Sequence, residues 1–336
     1  MNILITGGCG FLGARLARTL LAKGSLSVGG KQSAPINCVT LTDRAPPPAD
    51  LAADSRVKFI GGDLNDLLAS HQVPAPGTDV IYHLAAAVSG ECEADFDLGM
   101  RSNYEATRSL LEACRALKTR PTVVFSSSLA VFGNLPGEPL PDLIEDFTLP
   151  TPQSSYGIQK FIGEQLVADF TRKGFIAGRT CRLMTVSVRA GRPNGAASSF
   201  FSGMIREPLA GVRSTVPVPA ETLVALSSPA RTVEGLIRAA EATDAQWGPF
   251  TGVNMPALRT TVGEMAQALE RVAGKAATDL LDWAPDPAIL KLVKTWPGNV
   301  ASARANAMGL QPDTDFESVV RDYARENPSA VKLPLL

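Results

Sequence analysis

Asn2-Ile3-Leu4-Ile5-Thr6-Gly7-Gly8-Cys9-Gly10-Phe11-Leu12-Gly13 is the stretch that decides the fold. A short apolar run ends in spaced glycines, and Ala14 to Ala22 then carries Leu16, Leu20 and Leu21 on one helical face. This is strand, glycine turn, helix. Further apolar runs follow at Val39 to Asp43, Val57 to Ile60, Val80 to Leu84 and Thr122 to Ser126, with others near Thr180 to Thr185 and Phe250 to Asn254. Helical stretches lie between them, notably Leu98 to Leu117. Strands this apolar are covered on both faces, as in a parallel sheet. The fold class is α/β, with a parallel sheet covered on both faces.

Two stretches break the rhythm. Ser25 to Asn37 is polar and glycine-rich, lengthens the first crossover, and reads as dispensable for any chemistry. Leu135 to Ser154 carries five prolines and reads as a loop over the end of the sheet. After Ser187 the pattern is irregular to about Ser228. Arg231 to Ala242 and Thr261 to Ala273 then look helical, the second with Thr261 and Glu264 spaced as a capping box. The expected division is a dinucleotide-binding domain over 1–186, with a further strand near 250–254. A smaller, partly interleaved C-terminal substrate-binding subdomain spans 187–336.

Composition excludes several classes. The 336 residues are 45% apolar and 19% charged, which rules out disorder, collagen and coiled coil as the main architecture. A formal charge of −1 with both signs interspersed gives no footprint for nucleic acid. Met1 to Ile5 has no positive region before it, so no signal peptide is read, and no apolar run approaches the ~18 residues of a membrane span. Five cysteines, Cys9, Cys38, Cys92, Cys114 and Cys181, lack C-x-x-C spacing, which points to a reducing, cytoplasmic setting. His71 and His83 are not placed as a metal pair, so no metal is expected.

A dinucleotide pyrophosphate needs a helix N-terminus with bare amides and a backbone that can come close. Gly7, Gly10 and Gly13 between a strand and a helix meet that need. Asp43 ends the second strand, where a carboxylate accepts from the ribose hydroxyls of NAD and repels a 2′-phosphate. Arg44 beside it softens that discrimination, so NAD with some NADP use is expected. Asp63 after the third strand suits an adenine-edge contact, or simply an N-cap for the next helix. Leu84, Ala85 and Ala86 end the fourth strand with residues small enough for a cofactor backbone to lie close.

Ser126-Ser127-Ser128 closes the fifth strand at the edge where such sheets bind ligands, and Tyr156 and Lys160 follow at i and i+4 on one helical face capped by Ser154. Oxidising a secondary alcohol requires a base for the hydroxyl proton as hydride leaves carbon. A phenol serves when a lysine cation and a positive nicotinamide lower its pKa, and a serine holds the substrate oxygen. Tyr156 is the candidate base, Lys160 its tuner and ribose ligand, Ser128 the oxygen orienter. A nicotinamide-binding regulator without turnover is disfavoured by these intact residues.

Thr6 to Gly13, Asp43, Asp63, His83 to Ala86, Ser126 to Gly133 and Tyr156 to Lys160 together resemble the extended short-chain dehydrogenase/reductase family, of the NAD-dependent epimerase/dehydratase type, up to about Ala190. Phe132 departs from the tyrosine common at its position. The resemblance implies a Rossmann-type doubly wound parallel sheet and catalytic roles for Ser128, Tyr156 and Lys160. It implies cofactor contacts from Gly7, Gly10, Phe11, Leu12, Gly13, Asp43, Asp63, Leu64, Leu84, Ala85, Ala86, Asn103 and Ser126 as well as Tyr156 and Lys160. A homodimer built on the helices near 98–117 and 155–173 is implied too. Ser89-Gly90, Glu93 to Arg101, Thr151 to Gly157, Ala197 to Phe200, Ile205 to Leu209 and Leu226 to Pro229 are similar to loops of the sugar-acid dehydrogenases in that family. They imply NAD-dependent oxidation of a small-molecule sugar acid, D-erythronate foremost, at C2 to the 2-keto acid. The alternatives are a nucleotide-sugar epimerase or dehydratase, then a uronate dehydrogenase. For the substrate carboxylate the candidates are Arg189, Arg192 and Arg231, with Ser89, Asn194 and Ser198.

Overall fold

The computed structural model describes residues 1–191 and 196–336. The first run forms β1 (Asn2–Thr6), and the glycine turn leads into α1 (Phe11–Lys23). Then come β2 (Cys38–Asp43), β3 (Val57–Gly61), α2 (Leu64–Ala69), β4 (Val80–His83) and α3 (Ser89–Ala94). They are followed by α4 (Ala106–Leu117), β5 (Thr122–Ser128), α5 (Ser155–Arg172) and β6 (Ala177–Leu183). The second part contains β7 (Thr185–Val186), α6 (Ser199–Leu209), β8 (Leu223–Ser227), α7 (Pro229–Glu241), β9 (Val253–Asn254), β10 (Leu258–Thr261), α8 (Val262–Ala273) and α9 (Phe316–Glu326).

Seven strands make one parallel sheet in the order β3-β2-β1-β4-β5-β6-β9. The alternation within β1 explains why both faces are covered. Ile3 and Ile5 pack with Leu16 and Leu20 of α1 and Leu236 of α7. Leu4 points the other way, into Leu110 and Leu111 of α4 and Val167 of α5. Strand order reverses at β1, and a crevice opens there at the carboxyl ends of the strands. Thr6 sits opposite Thr42 on one side and His83 on the other.

The chain after 187 contributes to two cores. A three-stranded sheet, β10-β8-β7, packs with α6, α8 and α9 around Phe201, Leu226, Met265 and Val320. Meanwhile β9 returns to the main sheet beside β6, and Val233, Ala305 and Met308 join the core under β1. The Thr261 capping box forms as the spacing predicts: Thr261 Oγ1 accepts from Glu264 N, and the Glu264 carboxylate accepts from Thr261 N.

One expectation is corrected. The segment Ser25 to Asn37 is not a free polar loop. It forms a small hairpin, Ser25–Leu26 against Ala34–Pro35, whose Leu26 and Ile36 are buried in the main core. The helical stretch Leu98 to Leu117 forms as expected, with a π-helical turn, Met100–Glu105, set within it before α4. Asn103 lies in that turn, buried.

Candidate active site

The glycine turn is set by sterics. Gly7 has φ +67, and a Cβ there would come within 2.9 Å of Ala85 N. A Cβ on Gly13 would lie 2.1 Å from Gly7 O, so α1 can start this close to β1 only without one. Gly10 caps α1 with no side chain, which leaves the helix N-terminus bare.

Two adjoining hollows run along the carboxyl edge of the sheet and share Gly7, Gly10, Leu84 and Ala86. The outer one, about 350 Å³, is walled by Asp43, Arg44, Asp63, Leu64 and Ala85. Asp43 Oδ2 accepts from Cys9 N at 3.1 Å, which aims the carboxylate at the glycine turn. Arg44 is not free to take a phosphate as its place in the sequence suggests: it pairs with Asp63. Asp63 is also the N-cap of α2, accepting from Asn65 N, and Arg44 helps hold its carboxyl below the ordinary value against the opposing effect of burial. Asn103 is not on either wall. Its amide is taken up by Ala87, by Gln159 Oε1 at 2.8 Å and by Cys92 Sγ, so it braces the loop after β4 from behind.

The inner hollow, about 270 Å³, holds Phe11, Leu12, Gly13, Ser126, Ser128, Tyr156 and Lys160. Ser128 ends β5 and Tyr156 stands in the first turn of α5, where the Ser154 hydroxyl accepts from Gly157 N. The Tyr156 phenol and Ser128 line the same hollow, close enough for the serine hydroxyl to act on the phenol. Burial pushes that phenol up to about 12, while Ser128 and the charge of Arg189 pull it down. Lys160 Nζ lies 5.7 Å from the Tyr156 ring centre, and burial lowers its pKa to about 8. A deep brace fixes strand to helix: Glu164, one turn beyond Lys160, accepts from Ser127 Oγ at 2.5 Å and pairs with Arg182 of β6. His83 is not an acid or base here. Its ring is held between Thr6 Oγ1 and Thr107 Oγ1, and burial drops its pKa to about 3. Its carbonyl accepts from Ser126 Oγ.

The same hollow ends at Ser89, Arg189 and Ser198. Arg189 donates through Nε to Val186 O and through Nη2 to Ser198 Oγ at 2.9 Å. It makes no ion pair among the described residues, and burial holds its pKa below the ordinary value. Arg231 does not reach this place. It pairs with Glu234 three residues along α7 and is absent from the cleft wall, so it is removed from the candidates. Arg192 and Asn194 lie outside the described residues. The sequence reading missed Met184, Thr185 and Trp296, which also line the hollow. The first two follow the sixth strand and were findable by the strand-end rule; Trp296 lies in an irregular stretch with no signal.

The model of the NAD dependent epimerase/dehydratase family matches residues 3–222. A D-erythronate dehydrogenase of Cupriavidus necator is 47% identical over 326 residues, which covers 97% of this chain and 98% of that protein. A D-erythronate dehydrogenase of Haemophilus influenzae is 39% identical over 323 residues, 96% of this chain and 98% of that protein. The crystal structure of a nucleoside-diphosphate-sugar epimerase from Agrobacterium tumefaciens is similar with a TM-score of 0.87 and 37% identity, covering 98% of this chain and 95% of that one.

Proposed function

The chain belongs to the NAD-dependent epimerase/dehydratase family, and we propose that it oxidises D-erythronate, or a close aldonate, at the C2 hydroxyl to the 2-keto acid with NAD. Two relatives named D-erythronate dehydrogenase, aligned over nearly all of the chain, support this reading. The observation that carries it is Arg189: a guanidinium without a carboxylate partner among the described residues, on the cleft wall shared with Tyr156. Ser198 Oγ accepts from Arg189, and Ser89 Oγ accepts from Ala197 N. Each hydroxyl keeps its own proton to donate. One cation and two hydroxyl donors make a seat for a carboxylate.

The residues fit the dinucleotide. The cradle that a Cβ on Gly7 or Gly13 would fill takes the pyrophosphate at the bare start of α1. Asp43 would hold the adenine ribose, and Lys160 would hold the ribose beside Tyr156. NAD, when bound, supplies the hydride acceptor and a positive charge near the phenol. Ser128 holds the C2 oxygen. Tyr156 Oη takes the hydroxyl proton as the C2 hydride departs, and the Lys160 ammonium stabilises the phenolate. Arg189 fixes the carboxylate so that C2 sits over the phenol.

An epimerase would need to seat a nucleoside diphosphate, and its two phosphates call for more donors than Ser89, Ser198 and a single Arg189 supply among the described residues. The test is NAD reduction by the purified protein against D-erythronate, other four- to six-carbon aldonates and UDP-sugars. Erythronate turnover is expected. Conversion of UDP-sugars with none of the acids overturns the reading.

A further inference from the structure

The Lys160 ammonium is buried with no anion beside it. Lys160 is 3% exposed and makes no side-chain hydrogen bond or ion pair among the described residues. The groups that face it carry no negative charge. Cys92 of α3 is a thiol that burial pushes up to about 11, and the Tyr156 phenol, one turn back on α5, is pushed up to about 12. Glu164, one turn on, is spent on Ser127 and Arg182. His83 of β4 is held neutral. The Thr107 hydroxyl proton goes to Asn103 O, so Thr107 Oγ1 accepts from His83 Nε2–H, and Thr6 Oγ1 donates to Nδ1. A buried ammonium with no partner at all carries a large cost.

What Lys160 does have is the face of an aromatic ring. Its Nζ lies 5.0 Å over the centre of the Phe125 ring, closer than the 5.7 Å to that of Tyr156. Phe125 is buried in β5, and its ring stacks with that of His83 at 5.8 Å. Gly163 lets α5 come down onto the same ring: a Cβ there would lie 2.5 Å from Phe125 Cζ. Gly163 is three residues beyond Lys160, on the same helical face. A ring face is the negative side of an aromatic quadrupole, and it attracts a cation more strongly where water is excluded. We propose that Phe125 is a positioning residue, whose ring face holds the Lys160 ammonium charged and in place for its work beside the Tyr156 phenol. This rests on the roles read above for Lys160 and Tyr156. A neutral amine could not stabilise the phenolate. The neutral state of His83 serves the same end, since an imidazolium stacked on that ring would repel the ammonium.

The test replaces Phe125, by site-specific incorporation, with mono-, di- and trifluorophenylalanine. These keep the shape of the ring and drain charge from its face stepwise. Lys160 is titrated directly by NMR of isotope-labelled lysine, its signal being the one that Lys160→Met removes. The Lys160 midpoint should fall stepwise, by about one pH unit across the series. The alkaline limit of kcat with D-erythronate should retreat to lower pH in the same order. Phe125→Leu, which has no ring, should lower the midpoint as far as the trifluoro ring does; should it not fold, the fluorinated rings decide alone. A midpoint that stays put along the fluorine series overturns the proposal, even where Phe125→Leu loses activity, because packing alone then accounts for the ring. A midpoint that falls while the kcat profile does not move removes Phe125 from the reaction. Wild-type enzyme that oxidises no sugar acid sinks the substrate reading by itself, and the Lys160 titration still decides whether Phe125 holds the charge.

Discussion

Arg189→Met separates recognition from stability in one variant. Arg189 sits half-buried without a counter-charge among the described residues, held by Val186 O and Ser198 Oγ. Methionine keeps the length and removes the charge. The lost hydrogen bonds are each worth about 0.5–1.5 kcal/mol, and relief of the stranded charge offsets part of that. Stability should therefore move by no more than about 1–2 kcal/mol in urea unfolding. Binding behaves differently. A substrate carboxylate entering the cleft without Arg189 is buried unpaired, a loss of about 3–5 kcal/mol. At about 1.4 kcal/mol per decade this is roughly two to three and a half decades in kcat/KM for erythronate. The check is a cycle with the neutral amide of erythronate. Wild type should lose most of its kcat/KM on the amide, and Arg189→Met should treat acid and amide nearly alike. A variant that loses as much on the amide as on the acid refutes the carboxylate role, and unchanged acid turnover removes Arg189 from the site.

Tyr156→Phe should lower kcat about 10²–10⁴-fold while leaving NAD affinity intact by titration, because only the proton acceptor goes; near-wild-type kcat would disprove the assignment. Asp43→Asn keeps an acceptor for Cys9 N and removes the charge, so the NADP/NAD ratio of kcat/KM should rise by about 1–3 kcal/mol in free-energy terms, and an unmoved ratio argues against a ribose role. Lys160 has its pKa lowered by burial from 10.5 to about 8, so the folded state resists its charge below pH 8. Lys160→Met should then stabilise by about 3 kcal/mol at pH 7, a gain that fades as pH rises toward the unfolded value of 10.5; urea unfolding at both ends of that range checks the sign. Leu26→Ala and Ile36→Ala should each cost about 2–5 kcal/mol, and removing 25–37 should unfold the protein, against the sequence expectation of a dispensable loop; an unshifted urea midpoint would show that the hairpin is ornamental.

The parts legible in sequence share a cause: their constraint is local. Ile3-Leu4-Ile5 reads as a buried parallel strand because successive residues enter opposite cores. Gly13 reads as obligatory because the atom it would strike, Gly7 O, is six residues away. Tyr156 and Lys160 read as a pair because one helical turn joins them. What failed was long-range. Arg189, Arg192 and Arg231 are equivalent as letters, although Glu234 at i+3 from Arg231 was a signal that this one is already paired. Arg44 is captured by Asp63 only because β2 and β3 are neighbours, with Asp43 opposite Gly61. Leu26 and Ile36 gave no alternation, since each arm of their hairpin contributes a single core residue.

The same contrast explains how one scaffold can keep its cofactor chemistry while its substrate changes. The cofactor edge is written into β1, β2 and β5 and the starts of α1 and α5, all elements of the central sheet or packed on it. The substrate end hangs on a separate clamp between residues 187–189 and α6. Ser187 Oγ donates to Phe201 O, Arg189 N donates to Ser202 Oγ, and Arg206 Nη1 donates to Arg189 O. Arg206 is itself held by Glu207. None of these contacts touches the glycine turn, Ser128 or Lys160. The reach and angle of Arg189 can therefore be retuned through α6 without moving the glycine turn, Ser128 or Lys160, and the retuning is felt at Tyr156 only through the charge of Arg189. This is why the residues proposed for catalysis declare themselves in a single sequence, and why the proposed carboxylate seat is read from the tertiary clamp that presents one arginine.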